Sequence, residues 1–115
     1  MKKLLLAVIV SLTTISSVAL AEIKVGIILG FTGPIETLTP AMRDSAKLAF
    51  AEVSASGALL GGETITPLIG DSTCVDSDAA VAAAEIIVND GAVAIMGADC
   101  SGVTGAIATN VAVPN

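Results

Sequence analysis

Residues 22–34 read EIKVGIILGFTGP. From Ile23 to Leu29 the side chains are β-branched or apolar almost without a break. A short run of that kind, continuous rather than alternating, predicts a strand buried on both faces, as in a parallel sheet. Gly30-Phe31-Thr32-Gly33-Pro34 then predicts a loop. A helix follows it. Thr39-Pro40 places a hydroxyl N-cap before a proline at the first helical position. Met42, Ala46, Ala49, Phe50 and Val53 recur at three- and four-residue spacing along one face, and Gly57 supplies the stop.

The pattern repeats outward from this unit. Glu63 to Gly70, ETITPLIG, predicts a second strand, and Pro67, which has no N–H to give a ladder, predicts that it lies at an edge. A polar loop from Asp71 to Asp78 leads to an alanine-rich helix over Ala79 to Asn89, closed by Gly91. Ala92 to Met96 reads as a third strand, and Gly102 to about Ala112 as a third helix, with Ser101 or Cys100 as its cap and Pro114 beyond its end. Strands alternating with helices predict an α/β fold, an open parallel sheet of βα units joined by right-handed crossovers. Three strands do not complete such a sheet, so the chain is expected to be a piece of a longer protein.

Upstream of the first strand, Lys2 and Lys3 precede an apolar run, Leu4 to Val10, and a weaker stretch ends in Ala19-Leu20-Ala21. These three parts predict a secretory signal over residues 1–21 with a small-x-small cleavage site. The strictly apolar run is far shorter than the roughly 20 residues that span a bilayer. Without the signal, three basic residues stand against eleven acidic ones, a net charge of −8. An acidic chain with no basic cluster, two Phe, no Tyr and no Trp is a poor partner for nucleic acid or an anionic membrane surface.

An exported chain meets an oxidising compartment, where its two cysteines, Cys74 and Cys100, are expected to pair, with free thiols as the alternative. Closing a loop of that size is worth roughly 3.5 kcal/mol in the chain-entropy model. The chain has no His, so zinc is not expected, and a Cys-x-x-Cys redox pair is absent. Asp71, Asp76 and Asp78 lack the glycine and terminal Glu of a calcium loop and read as a solvated, helix-capping loop. Neither dinucleotide nor phosphate-loop glycine patterns occur, and without His no Ser-His pair can form within the chain. No cofactor, metal or catalytic residue is therefore expected. In parallel sheets ligands gather beyond the carboxyl ends of the strands. At the third such end, Ser101 and Gly102 either hold a carboxylate or phosphate at a helix N-terminus or merely cap the helix and ease the turn.

Taken together, the signal, the stretch IKVGIILGFTGPIETL and the stretch GDSTCVDSDAAVAAAEIIVNDGAVAIMGADCSGVTGA closely resemble the amino-terminal part of periplasmic amino-acid-binding proteins of the leucine/isoleucine/valine type. Thr32-Gly33-Pro34, Val88 to Gly91 and the two cysteines carry the likeness, which spans Glu22 to Asn115. The resemblance implies a type I periplasmic-binding lobe, with residues 22–115 forming part of the first of two lobes that close on a solute. It implies a periplasmic, monomeric, non-enzymatic receptor that hands a branched-chain type amino acid to the membrane permease of an ABC importer. It implies a Cys74–Cys100 disulfide, Ser101 on the ligand α-carboxylate, and Cys100 and Asp99 in the pocket lining, beside Gly102, where the residue reading lets a ligand approach the backbone closely. Leu38 stands where an aromatic residue often packs on the ligand, and Asp99 where an apolar residue is common; Asp99 either favours a ligand with an extra amine or is solvated. An exported α/β enzyme with its catalytic groups beyond Asn115, or a sensor domain of the same fold, are the alternatives.

Overall fold

In a computed structural model, which describes residues 21–115, three parallel strands lie in the order β2-β1-β3. The signal sequence expected over residues 1–21 lies outside the described residues but for Ala21. Strand β1 is Glu22–Leu29, β2 is Thr64–Asp71 and β3 is Ala94–Gly97; helices α1 (Thr39–Ser56), α2 (Ser77–Asn89) and α3 (Ser101–Ile107) follow them in turn. The α/β fold and parallel sheet read from the sequence are as expected. Strand β2 pairs along its whole length with β1, from Glu22 opposite Thr64 to Leu29 opposite Asp71, and among the described residues it is an edge strand, which accommodates Pro67 opposite Val25. The shorter β3 pairs with β1 from Val25 opposite Ala94 to Ile28 opposite Gly97.

Helices pack on β1 from both faces, most completely over Gly26 to Leu29, and this accounts for its continuous apolar run. Helices α1 and α2 both pack on β1 and β2, so they need opposite faces. Ile28 joins a buried cluster with Ala80, Ala84 and Ile87 of α2 and Val103 and Ile107 of α3. Ile27 and Leu29, equally buried, point the other way by strand alternation. Gly26 and Gly70 leave room on the α2 face: a Cβ at Gly26 would stand 2.7 Å from Cγ2 of Ile87, and one at Gly70 2.9 Å from its Cδ1. The helix thus sits closer to the sheet than any side chain at those two positions would allow.

The helix ends differ from the sequence reading in ways that packing explains. Thr39 is not the N-cap of α1. It is wholly buried inside the first turn, and its hydroxyl donates to the carbonyl of Gly30, 3.0 Å away, tying the helix start to the end of β1. Gly57 does close the helix, in the left-handed conformation at φ 67°. Of the face expected to be apolar, Ala46 and Phe50 are half-buried, whereas Met42 and Val53 remain 44% and 42% exposed. Asp76 caps α2, accepting from the N–H groups of Asp78 and Ala79 at 3.0 Å. Beyond α3 the chain widens into a π-helical stretch, Ala108–Ala112, in which the Val113 N–H reaches the Ala108 carbonyl at 3.0 Å. Among the described residues no helix is long and apolar enough to cross a membrane.

Candidate functional site

The order β2-β1-β3 decides where a ligand can enter. From β1 the chain crosses to one neighbour, and from β2 it crosses back over the other face to β3. The segments leaving β1 and β3 therefore diverge at adjacent strand ends and open a crevice between them, the switch point at which open α/β sheets bind ligands. One wall is the loop from Gly30 to Leu38. The other runs from Ala98 into α3.

Two carboxylates organise the first wall. Asp71, the last residue of β2, accepts at Oδ1 from the N–H groups of Phe31 (2.9 Å), Thr32 (3.3 Å) and Thr73 (2.8 Å), and at Oδ2 from the Thr32 hydroxyl (2.6 Å). Asp99 accepts the N–H of Gly30 at Oδ2 (2.9 Å) and the hydroxyl of the fully buried Ser72 at Oδ1 (3.4 Å), so it spans all three strand ends. Three consecutive loop N–H groups are thus claimed by carboxylates. The carboxyl group of Asp99 is neither simply solvated nor idle. At the far end of the loop, Leu38 is 62% exposed. Nearby, the Arg43 guanidinium lies 5.8 Å from the Phe31 ring centroid and donates to Asp44 at 2.8 Å.

Burial pushes the Asp71 carboxyl up, but the Thr32 hydroxyl and the N–H groups of Thr73, Thr32 and Phe31 outweigh it and hold the group below the ordinary carboxylate range. A carboxyl depressed by folding stabilises the fold above its unfolded value, about 3.9, and that contribution is lost as pH falls through the lower folded value. We therefore expect the amide resonances of Phe31 and Thr73 to hold their native positions down to about pH 4 and to move together only in stronger acid. Movement beginning near neutrality would contradict this.

The second wall is fastened by a disulfide between Cys74 and Cys100, whose Cα atoms are 5.2 Å apart. The pairing expected from the compartment and from the resemblance is thus present. The Thr104 hydroxyl donates to the carbonyls of Ala98 and Cys100, both at 2.9 Å, and fixes the start of α3. Cys100 holds the N-cap position, yet no side chain caps this helix. Ser101 is exposed at the first helical position, so the alternative in which it merely caps α3 does not hold. Gly102 is exposed as well, and a Cβ there would meet no chain atom within 4 Å. Packing therefore does not require that glycine.

Ser101, Cys100, Asp99 and Gly102 consequently lie together at one side of the crevice, with Leu38 at the end of the opposite wall. The sequence reading missed Asp71, assigned there to a solvated loop. Its position as the last residue of a strand was the available signal, but its partners in the loop after β1 stand about forty residues upstream. Among the described residues no three His, Cys, Asp or Glu side chains come together to hold a metal ion. A separate groove of about 290 Å³ lies at the other end of β3, lined by Val88, Val93, Ile95 and Ala112 among others. It is mostly apolar and stands at the opposite end of β3 from the strand ends where hydrogen-bonding groups converge, so the switch point is the better candidate. Comparison with known families gives a match to a model described as periplasmic binding protein, over residues 22–114. No curated protein matches the sequence.

Proposed function

We propose, because this chain belongs to the periplasmic binding protein family, that it captures an amino acid, of the branched-chain type, for the permease of an ABC importer. Membership supports a solute-binding receptor outside the cytoplasm, and such receptors as a rule bind without chemistry on the solute. In this reading residues 1–21 are the export signal, and residues 22–115 contribute to the first of two lobes.

The observation that carries the reading is the uneven supply of donors across the crevice. On the first wall the N–H groups of Gly30, Phe31 and Thr32 are taken by Asp99 and Asp71. An anionic solute group therefore finds its donors on the second wall, where the Ser101 hydroxyl lies exposed beside the first-turn N–H groups of α3. We assign the ligand carboxylate to Ser101, close approach to Gly102, and the pocket lining to Cys100 and Asp99. We assign the ligand side chain to Leu38, exposed on the opposite wall, which favours an aliphatic one.

Ser101→Ala is expected to weaken amino-acid binding by about 1.5–3 kcal/mol, the worth of a hydrogen bond to a charged group. Titration calorimetry with leucine, isoleucine and valine on the full-length protein measures this, and unchanged affinity would remove Ser101 from the site. Absence of binding for all three would withdraw the branched-chain assignment.

A further inference from the structure

Asp71 touches more of the crevice than the first wall. It sits at the end of a paired strand, opposite Leu29, so its backbone is fixed by the sheet. One carboxylate oxygen gathers the N–H groups of Phe31 and Thr32, and the other the Thr32 hydroxyl. The oxygen that binds Phe31 and Thr32 also takes the N–H of Thr73, two residues further along its own chain. That bond bends the chain back through Thr73 and Cys74, whose φ values of 56° and 70° lie in the left-handed region that costs non-glycine residues energy. The bend brings Cys74 to Cys100, and Ser101 is the next residue. A single carboxylate thus reaches both walls, one by direct hydrogen bonds and the other through a strained turn and a covalent bridge.

We infer that Asp71 is a positioning residue of the crevice, holding the Gly30–Leu38 loop and the Ser101 turn in one fixed relation alongside the direct tie from Asp99 to Gly30. Its importance for ligand capture rests on the receptor reading above; its action on the two walls does not. Asparagine preserves the geometry: its oxygen can accept the same three N–H groups, and its amide can donate to the Thr32 oxygen once that hydroxyl turns. Alanine removes every partner at once.

Backbone ¹⁵N relaxation on the full-length protein, without ligand, tests the assignment. In Asp71→Ala the order parameters of Thr32 and of Ser101 are expected to fall from about 0.85 to below about 0.6, while Ile27 and Ile28 keep their values. Asp71→Asn is expected to stay at the wild-type values. Asp71→Glu keeps the charge but displaces the oxygens by one methylene; it is expected to loosen the same residues, and it supplies the answer if the alanine variant does not fold. Unchanged values at Ser101, an asparagine variant as loose as alanine, or loosening that spreads equally into Ile27 and Ile28 would each overturn the assignment. Titration of the wild type with L-leucine separates the two readings. Failure to bind counts against the amino-acid receptor alone, because the relaxation result is obtained without ligand. Where the wild type binds, Asp71→Ala is expected to lose about tenfold or more in affinity, with Asp71→Asn close to wild type.

Discussion

Gly97→Ala is expected to destabilise the protein by more than about 3 kcal/mol and to abolish solute capture. Gly97 is the last residue of β3, with φ at 130°, a conformation that L side chains rarely adopt. A Cβ placed on it would run into the carbonyl oxygen of Ile28, the residue opposite it on the central strand. Neither partner can move away cheaply, because both are backbone and both belong to the sheet. The damage reaches the site directly, since Asp99, Cys100 and Ser101 follow within four residues. Gly102→Ala is the matched control: nothing crowds that position, and alanine in a helix is favoured over glycine by about 1 kcal/mol. Denaturant melts of the two variants should differ by several kilocalories per mole. Equal stability would show that β3 can shift to make room.

Removing the disulfide is the second large effect. Cys74 and Cys100 close a loop with a sequence separation of 26, and Cys74→Ser with Cys100→Ser is expected to cost about 3.5 kcal/mol. Chemical reduction of the wild type should lower its denaturation midpoint by a similar amount, whereas the double variant should be indifferent to reductant. A wild type equally indifferent would mean that the bridge adds nothing. Affinity should fall together with stability, because the bridge ends beside Ser101. An unchanged affinity would show that the turn holds its place through Thr104 and Asp99 alone.

Much of the fold was legible because its signals are local. The β-branched run of β1, the stop at Gly57 and the proline of β2 each act within a few residues, and each appears where the sequence placed it. The site was legible in part. Ser101 and the two cysteines stand out by residue type and by resemblance. Thr39 was misread because a hydroxyl before proline is a cap by local rules, but here the end of β1 offers it a buried carbonyl instead. Asp71 was misread for the same kind of reason. A carboxylate in a polar stretch looks solvated until the loop after β1 folds over it. Met42 and Val53 repeat at helical spacing, yet α1 turns only part of that face to the sheet, and periodicity alone does not say how wide the buried stripe is.

The central place of β1 also sets a clock. A chain made from its amino terminus releases this strand first, yet Glu22 must wait for Thr64, and Val25 for Ala94, before both edges are satisfied. Until then the apolar segment around Ile27, Ile28 and Leu29 has nowhere of its own to go, and contacts so distant along the chain form late. The newborn protein is therefore most vulnerable to clumping with its neighbours until β3 has followed β1 and β2 out. Whatever shields it in the cell must act on its first strand, long before there is any crevice to fill.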